Sequence, residues 1–154
     1  MRVRTVGLGL LALGLAIQLV RPARTNPPVE PAKTLEAHVD VPPQVEAILA
    51  RACVDCHTNR TRWPWYSHVA PVSWLIASDV NGGRRHLNFS DWEQRHRHDE
   101  SPFDEMCRQV RDGDMPPWYY VPLHPQARLT PADVTAICDW ASSPPHERAG
   151  GPPR

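Results

Sequence analysis

The chain has 154 residues, 18 of them proline, with 17 basic and 17 acidic side chains. That length suits one domain plus tails, and a formal net charge of zero without any block of like charge argues against a nucleic-acid partner. The prolines gather at 22–43 and 144–153, leaving roughly a hundred residues for a core, which is small for a fold without a staple or cofactor.

Met1-Arg2-Val3-Arg4 followed by an apolar run over 6–20 has the form of an export signal. Gly14-Leu15-Ala16 offers small residues for cleavage, but inside the run, and Arg21-Pro22-Ala23-Arg24 makes a poor cleavage site. As a helix this fifteen-residue run spans about 22 Å, short of a hydrocarbon core of about 30 Å. Snorkelling arginines and local thinning cover such a deficit. Residues 1–24 are therefore expected to be an uncleaved membrane anchor, with a cleaved signal peptide as the alternative. Arginines at both ends leave its orientation open. Either way the remaining chain lies outside the cytoplasm, where disulfides persist. Residues 25–41 read as a proline-rich linker, an extended spacer between membrane and domain. Residues 143–154 read as a disordered tail.

Pro42-Pro43 opens a helix, and Val45, Ile48, Leu49, Ala52 and Cys53 form one apolar stripe along it. The stripe runs into Cys53-Val54-Asp55-Cys56-His57. Cys-x-x-Cys-His is the signature of covalent c-type haem attachment, two thiols adding to the haem vinyl groups and the histidine ligating iron. Helical spacing puts positions i, i+3 and i+4 on one face, where all three side chains address one porphyrin. A zinc site needs a second ligand pair, and Cys107 and Cys138 stand alone. A thioredoxin-type pair belongs beside a β-α-β pattern that is missing here.

Trp63, Trp65 and Tyr66 follow within four positions, and packing against a haem edge accounts for them as well as generic core packing does. Pro71 starts a helix through Trp74, Leu75 and Ile76, with a stop expected at Asn81-Gly82-Gly83. Arg84 and Arg85 are read as solvated, with haem propionates as alternative partners. Ser90-Asp91-Trp92-Glu93 has the form of a capping box, and Arg95-His96-Arg97-His98 that of a solvated turn. Ser101-Pro102 starts a further helix whose buried face is Phe103, Met106, Cys107 and Val110, ended by Asp112-Gly113. Thr130-Pro131-Ala132-Asp133 starts the last, with Val134, Ile137, Cys138 and Ala141 inward. No segment alternates long enough for a strand, so the domain, 42–142, is all-α.

Met115 lies between the last two helices, in Gly113-Asp114-Met115-Pro116-Pro117-Trp118. Two prolines stiffen the loop, and a thioether held this way loses little entropy on ligating iron. Met115 is the favoured sixth ligand; His68, His86, His124 or an open position are the rivals, and core packing is the ordinary role of a lone methionine. Cys107 and Cys138 are either a disulfide or two buried thiols, and the sequence does not choose.

Cys53-Val54-Asp55-Cys56-His57, Trp63-Pro64-Trp65-Tyr66-Ser67, Ala70-Pro71-Val72-Ser73-Trp74-Leu75, Leu87-Asn88-Phe89-Ser90 and Met115-Pro116-Pro117-Trp118-Tyr119 together resemble the bacterial haem-binding domain family, over roughly residues 42–141. The resemblance implies haem c on Cys53 and Cys56 with His57 proximal, in a small cytochrome-c-like domain of four to five helices. It implies nothing about Cys107 and Cys138.

The functional expectation is a monohaem c-type cytochrome, not an enzyme, carrying single electrons to redox partner proteins on the periplasmic side of the bacterial inner membrane. Trp63, Trp65, Tyr66, Trp74 and Trp118 are expected to shield the haem. The alternatives are a haem sensor with an open sixth position, and a peroxidase with His68 or His86 as its distal group.

Overall fold

The computed structural model describes residues 2–92 and 101–143. Among these residues the regular structure is helical, as expected, in the order α1 (Arg2–Ala16), α2 (Leu35–His38), α3 (Pro43–Ala52), α4 (Val54–His57), α5 (Val72–His86), α6 (Pro102–Asp112) and α7 (Pro131–Ser142). The capping box expected at Ser90 runs into residues outside those described. The basic cluster at 95–98 and the tail at 144–154 also lie outside them.

α3, α6 and α7 enclose the core. α3 starts at Pro43 and buries Val45, Ile48 and Leu49, the stripe that its periodicity predicts. α6 buries Met106, Cys107 and Val110 and ends at Gly113, whose φ of 80° is a left-handed value that glycine adopts without penalty. α7 opens with the capping box of Thr130 and Asp133. Cys107 and Cys138 are joined in a disulfide between α6 and α7, so the choice that the sequence left open falls on the bridge. Arg51 of α3 pairs with Asp133 at 2.6 Å and ties α3 to the start of α7.

Two expectations are corrected. α5 does not stop at Asn81-Gly82-Gly83 but continues to His86. Gly83 is there for proximity rather than termination: a Cβ on it would stand 2.7 Å from the Cys56 carbonyl oxygen, closer than atoms pack, so only glycine lets α5 lie against α4. Nor are residues 25–41 a free spacer. Leu35 and Val39 are fully buried in the core, and the Leu35 N–H donates to the Phe89 carbonyl at 2.8 Å. Trp140 Nε1 donates to the Asp40 carbonyl at 3.1 Å. The prolines there favour extended backbone, but a small core gains from two further aliphatic side chains.

α1 is apolar from Val6 to its end, and its side chains there are almost all exposed. Among the described residues no helix is long and apolar enough to cross a membrane.

Candidate haem site

The Cys-x-x-Cys-His run does not complete α3 as its periodicity suggests. α3 ends at Ala52; Cys53, with φ of −122°, is a break, and α4 restarts after it. The amides of Cys56 and His57 both donate back to the Cys53 carbonyl, at 3.1 and 3.0 Å. The motif is thus one closed turn.

α5 and the chain after it hold this turn. His57 Nδ1 stands 2.9 Å from the Leu87 carbonyl oxygen. A carbonyl only accepts, so Nδ1 carries the hydrogen and Nε2 keeps the free lone pair. The Phe89 N–H donates to the His57 carbonyl at 2.8 Å, and the two rings lie 5.9 Å apart. Arg84 donates to the Thr58 carbonyl, the Thr61 hydroxyl, the Thr25 carbonyl and the Asn26 side chain. It is therefore neither solvated nor aimed at a propionate; it clamps the loop after the motif to residues 25–26. Arg85 is exposed and lines the cavity described next.

That cavity, of about 520 Å³, contains Cys53, Cys56 and His57 in its lining, a size usual for a cofactor pocket. Val80, Leu87, Phe89, Met106 and Val110 give it apolar walls, and Met115, Pro116, Tyr119 and Tyr120 come from the loop after α6. The amides of Asp114 and Met115 donate to the Gln109 carbonyl, folding the loop back on the end of α6. The Met115 side chain is 37% exposed. A chain of polar contacts borders the same space. Tyr66 is hydrogen-bonded to His124 Nε2, and His124 stacks on Tyr120 at 4.0 Å. Tyr120 donates to Asp55 at 3.1 Å, and Asp55 pairs with Arg62.

Burial pushes the Cys53 and Cys56 thiols up to about 12, with Cys56 adding to Cys53 and the Asp79 and Asp55 carboxylates adding to Cys56. Both are neutral thiols at ordinary pH. Burial also lowers His57, against the opposing effect of backbone hydrogen bonds at Leu87 and Gly83. Neutral imidazole is the ligating form.

Of the residues singled out from the sequence, Cys53, Cys56, His57, Met115 and Tyr66 meet at the cavity, whereas Trp63, Trp65, Trp74 and Trp118 do not line it. Trp65 is 77% and Trp118 81% exposed. Each packs edge-on against the tyrosine that follows it, Tyr66 or Tyr119. Neighbouring residues in a turn project in different directions, so only one ring of each pair enters. Trp74 instead donates its Nε1 to the Val20 carbonyl. Among the rival ligands, His86 and His124 line the cavity, but His68 does not.

No role at the site is read from the sequence for Leu87 and Gly83, which act through backbone position, or for Tyr119 and Tyr120. The tyrosines had a signal, two rings in the stiff loop directly after Met115.

A family model described as a haem-binding domain matches residues 12–143. The chain belongs to the haem-binding domain family. No curated protein and no solved structure matches it. The match begins inside α1 and takes in 25–41, so the segment that buries Leu35 and Val39 is part of this haem-binding domain. Its site fits the group. Two free thiols, a histidine whose Nε2 is left open and an apolar chamber are what a covalently held haem requires.

Proposed function

We propose that this haem-binding domain is a monohaem c-type cytochrome, a single-electron carrier attached to a membrane through α1 and working outside the cytoplasm. Haem would be held by thioether links to Cys53 and Cys56, with His57 proximal and Met115 distal. The observation that carries this reading is the Nδ1–H of His57 donating to the Leu87 carbonyl, which commits Nε2 to the cavity that both thiols line.

Bound haem supplies a reversible one-electron change at iron. The chain's own residues do the rest. The Leu87 carbonyl fixes the tautomer and orientation of His57, the outer contact that tunes ligating histidines. Phe89, Val80 and Met106 keep water from the chamber, and low polarity there influences the potential. Pro116 and Pro117 stiffen the backbone beside Met115, so a thioether there is presented at small entropic cost.

A second reading, an open sixth position that takes a small gas, draws on the exposure of the Met115 side chain and on the Tyr66–His124 pair at the cavity. One experiment separates them. The chain is produced in a bacterium competent for c-type maturation, its mass is measured, and spectra are recorded in both redox states with and without carbon monoxide. The cytochrome reading expects covalent haem and a low-spin spectrum that ignores the gas. Bare polypeptide overturns both readings; covalent haem that binds carbon monoxide favours the second.

A further inference from the structure

Trp65 has no place at the cavity, yet it stands in the open with Val69, Val72 and Leu75, large apolar side chains close in sequence and all exposed. The chain just after α1 is fastened within this same stretch, at Ala70 and Trp74. Between positions 6 and 20 the only polar side chain is Gln18. Its Nε2 donates to the Ala70 carbonyl at 3.0 Å, and its Oε1 accepts from the Ala70 N–H at 2.9 Å. Trp74 Nε1 donates to the Val20 carbonyl at 2.8 Å. The end of the apolar helix is therefore fastened to the middle of the apolar face, and the one amide in the run is satisfied by the domain.

We propose that the face of Trp65, Val69, Val72 and Leu75 rests in the headgroup layer of a phospholipid bilayer, forming one membrane-contacting unit with the inserted α1. The proposal rests on the membrane attachment put forward above. From Val6 on, α1 is apolar on all sides and calls for lipid around it, whereas a protein partner seated on the face would leave α1 uncovered. At about 22 Å, α1 is too short to bury itself across a bilayer. An apolar collar at its root adds contact where the helix leaves the hydrocarbon, and tryptophan is the side chain best suited to that layer. Arg21, exposed at the same root, can hold its charge among the headgroups.

The test uses the full-length holoprotein and vesicles of phosphatidylcholine and phosphatidylglycerol. Flotation measures partitioning, and hydroxyl-radical labelling compares Trp65 with Trp118, an exposed tryptophan outside the face. With vesicles, Trp65 is expected to become protected while Trp118 is not. The double substitution Trp65→Glu, Leu75→Glu is expected to float roughly tenfold more weakly with an unchanged haem spectrum, which serves as the folding control. Flotation without protection of Trp65, or equal flotation of the variant, overturns the proposal but leaves α1 as an anchor. A wild type that does not float overturns the proposal and the membrane attachment together. Protection of Trp65 in a dimer without vesicles assigns the face to a second copy and also overturns it.

Discussion

The two contributions to the cavity are built differently. The side that carries Cys53, Cys56 and His57 is half-buried and held by backbone groups, with Gly83 against Cys56 and Leu87 accepting from His57. The side that carries Met115 is a proline-stiffened loop, over a third exposed at the methionine and hung from the last turn of α6. The first is fixed before any cofactor arrives. The second has room to settle on whatever the cavity holds. On the assignment proposed above, a site divided this way would set the attachment and proximal ligand rigidly and leave the sixth position adjustable.

Removing the support beneath the loop has the largest expected effect. The Cys107–Cys138 bridge closes a separation of 31 residues between α6 and α7, so Cys107→Ser with Cys138→Ser is expected to lower stability by about 3.7 kcal/mol in the chain-entropy account. Chemical denaturation of the holoprotein checks this. The haem is expected to stay attached, because Cys53 and Cys56 are not involved.

Gly83→Val strikes the rigid side directly. Its side chain meets the Cys56 backbone, which cannot yield as a flexible side chain would. A loss of about 1–3 kcal/mol is expected from overpacking, together with a reduced yield of haem-bearing protein, read by the ratio of haem absorbance to protein. An equally overpacked residue away from α4 would cost stability without that fall in yield.

Asp133→Asn tests the base that both sides share. Burial alone would raise the Asp133 carboxyl, but the hydrogen bonds from Arg51 and the Thr130 backbone and hydroxyl overcome it and hold it below the usual carboxylate range. The folded value lies under the unfolded one, so the contribution is complete above about pH 4 and is lost as pH falls through the folded value. The variant is expected to be less stable by about 1 kcal/mol at neutral pH. The two proteins should converge as pH falls through the folded value, and a gap that does not narrow on acidification below the usual Asp value would refute this assignment.

The smallest stability effect belongs to the loop. Met115→Ala is expected to cost under about 1 kcal/mol in the absence of haem, since the side chain is over a third exposed and borders the open cavity. The visible spectrum of the holoprotein should nevertheless change if the thioether is the sixth ligand. An unchanged spectrum would turn attention to His86 or His124, the other candidates at the cavity.

Much of this molecule could be read along the chain. The helical periods of α3, α6 and α7, the proline and capping starts, the glycine at 113 and the haem motif all depend on residues within a few positions of one another, where spacing is enough. Glycine at 83 misled because the same residue ends helices and permits close packing; only the nearness of the Cys56 carbonyl tells the two apart. The tryptophans misled for a related reason. Burying a large ring is favourable wherever it happens, and composition does not say which of two adjacent rings turns inward. The tertiary structure alone decided the acceptor for His57 Nδ1, the pairing of Cys107 with Cys138, and the return of Leu35 and Val39 to the core. The first two join groups about thirty positions apart and the third ties Leu35 to Phe89, and distances of that kind are set by the packing of the whole chain.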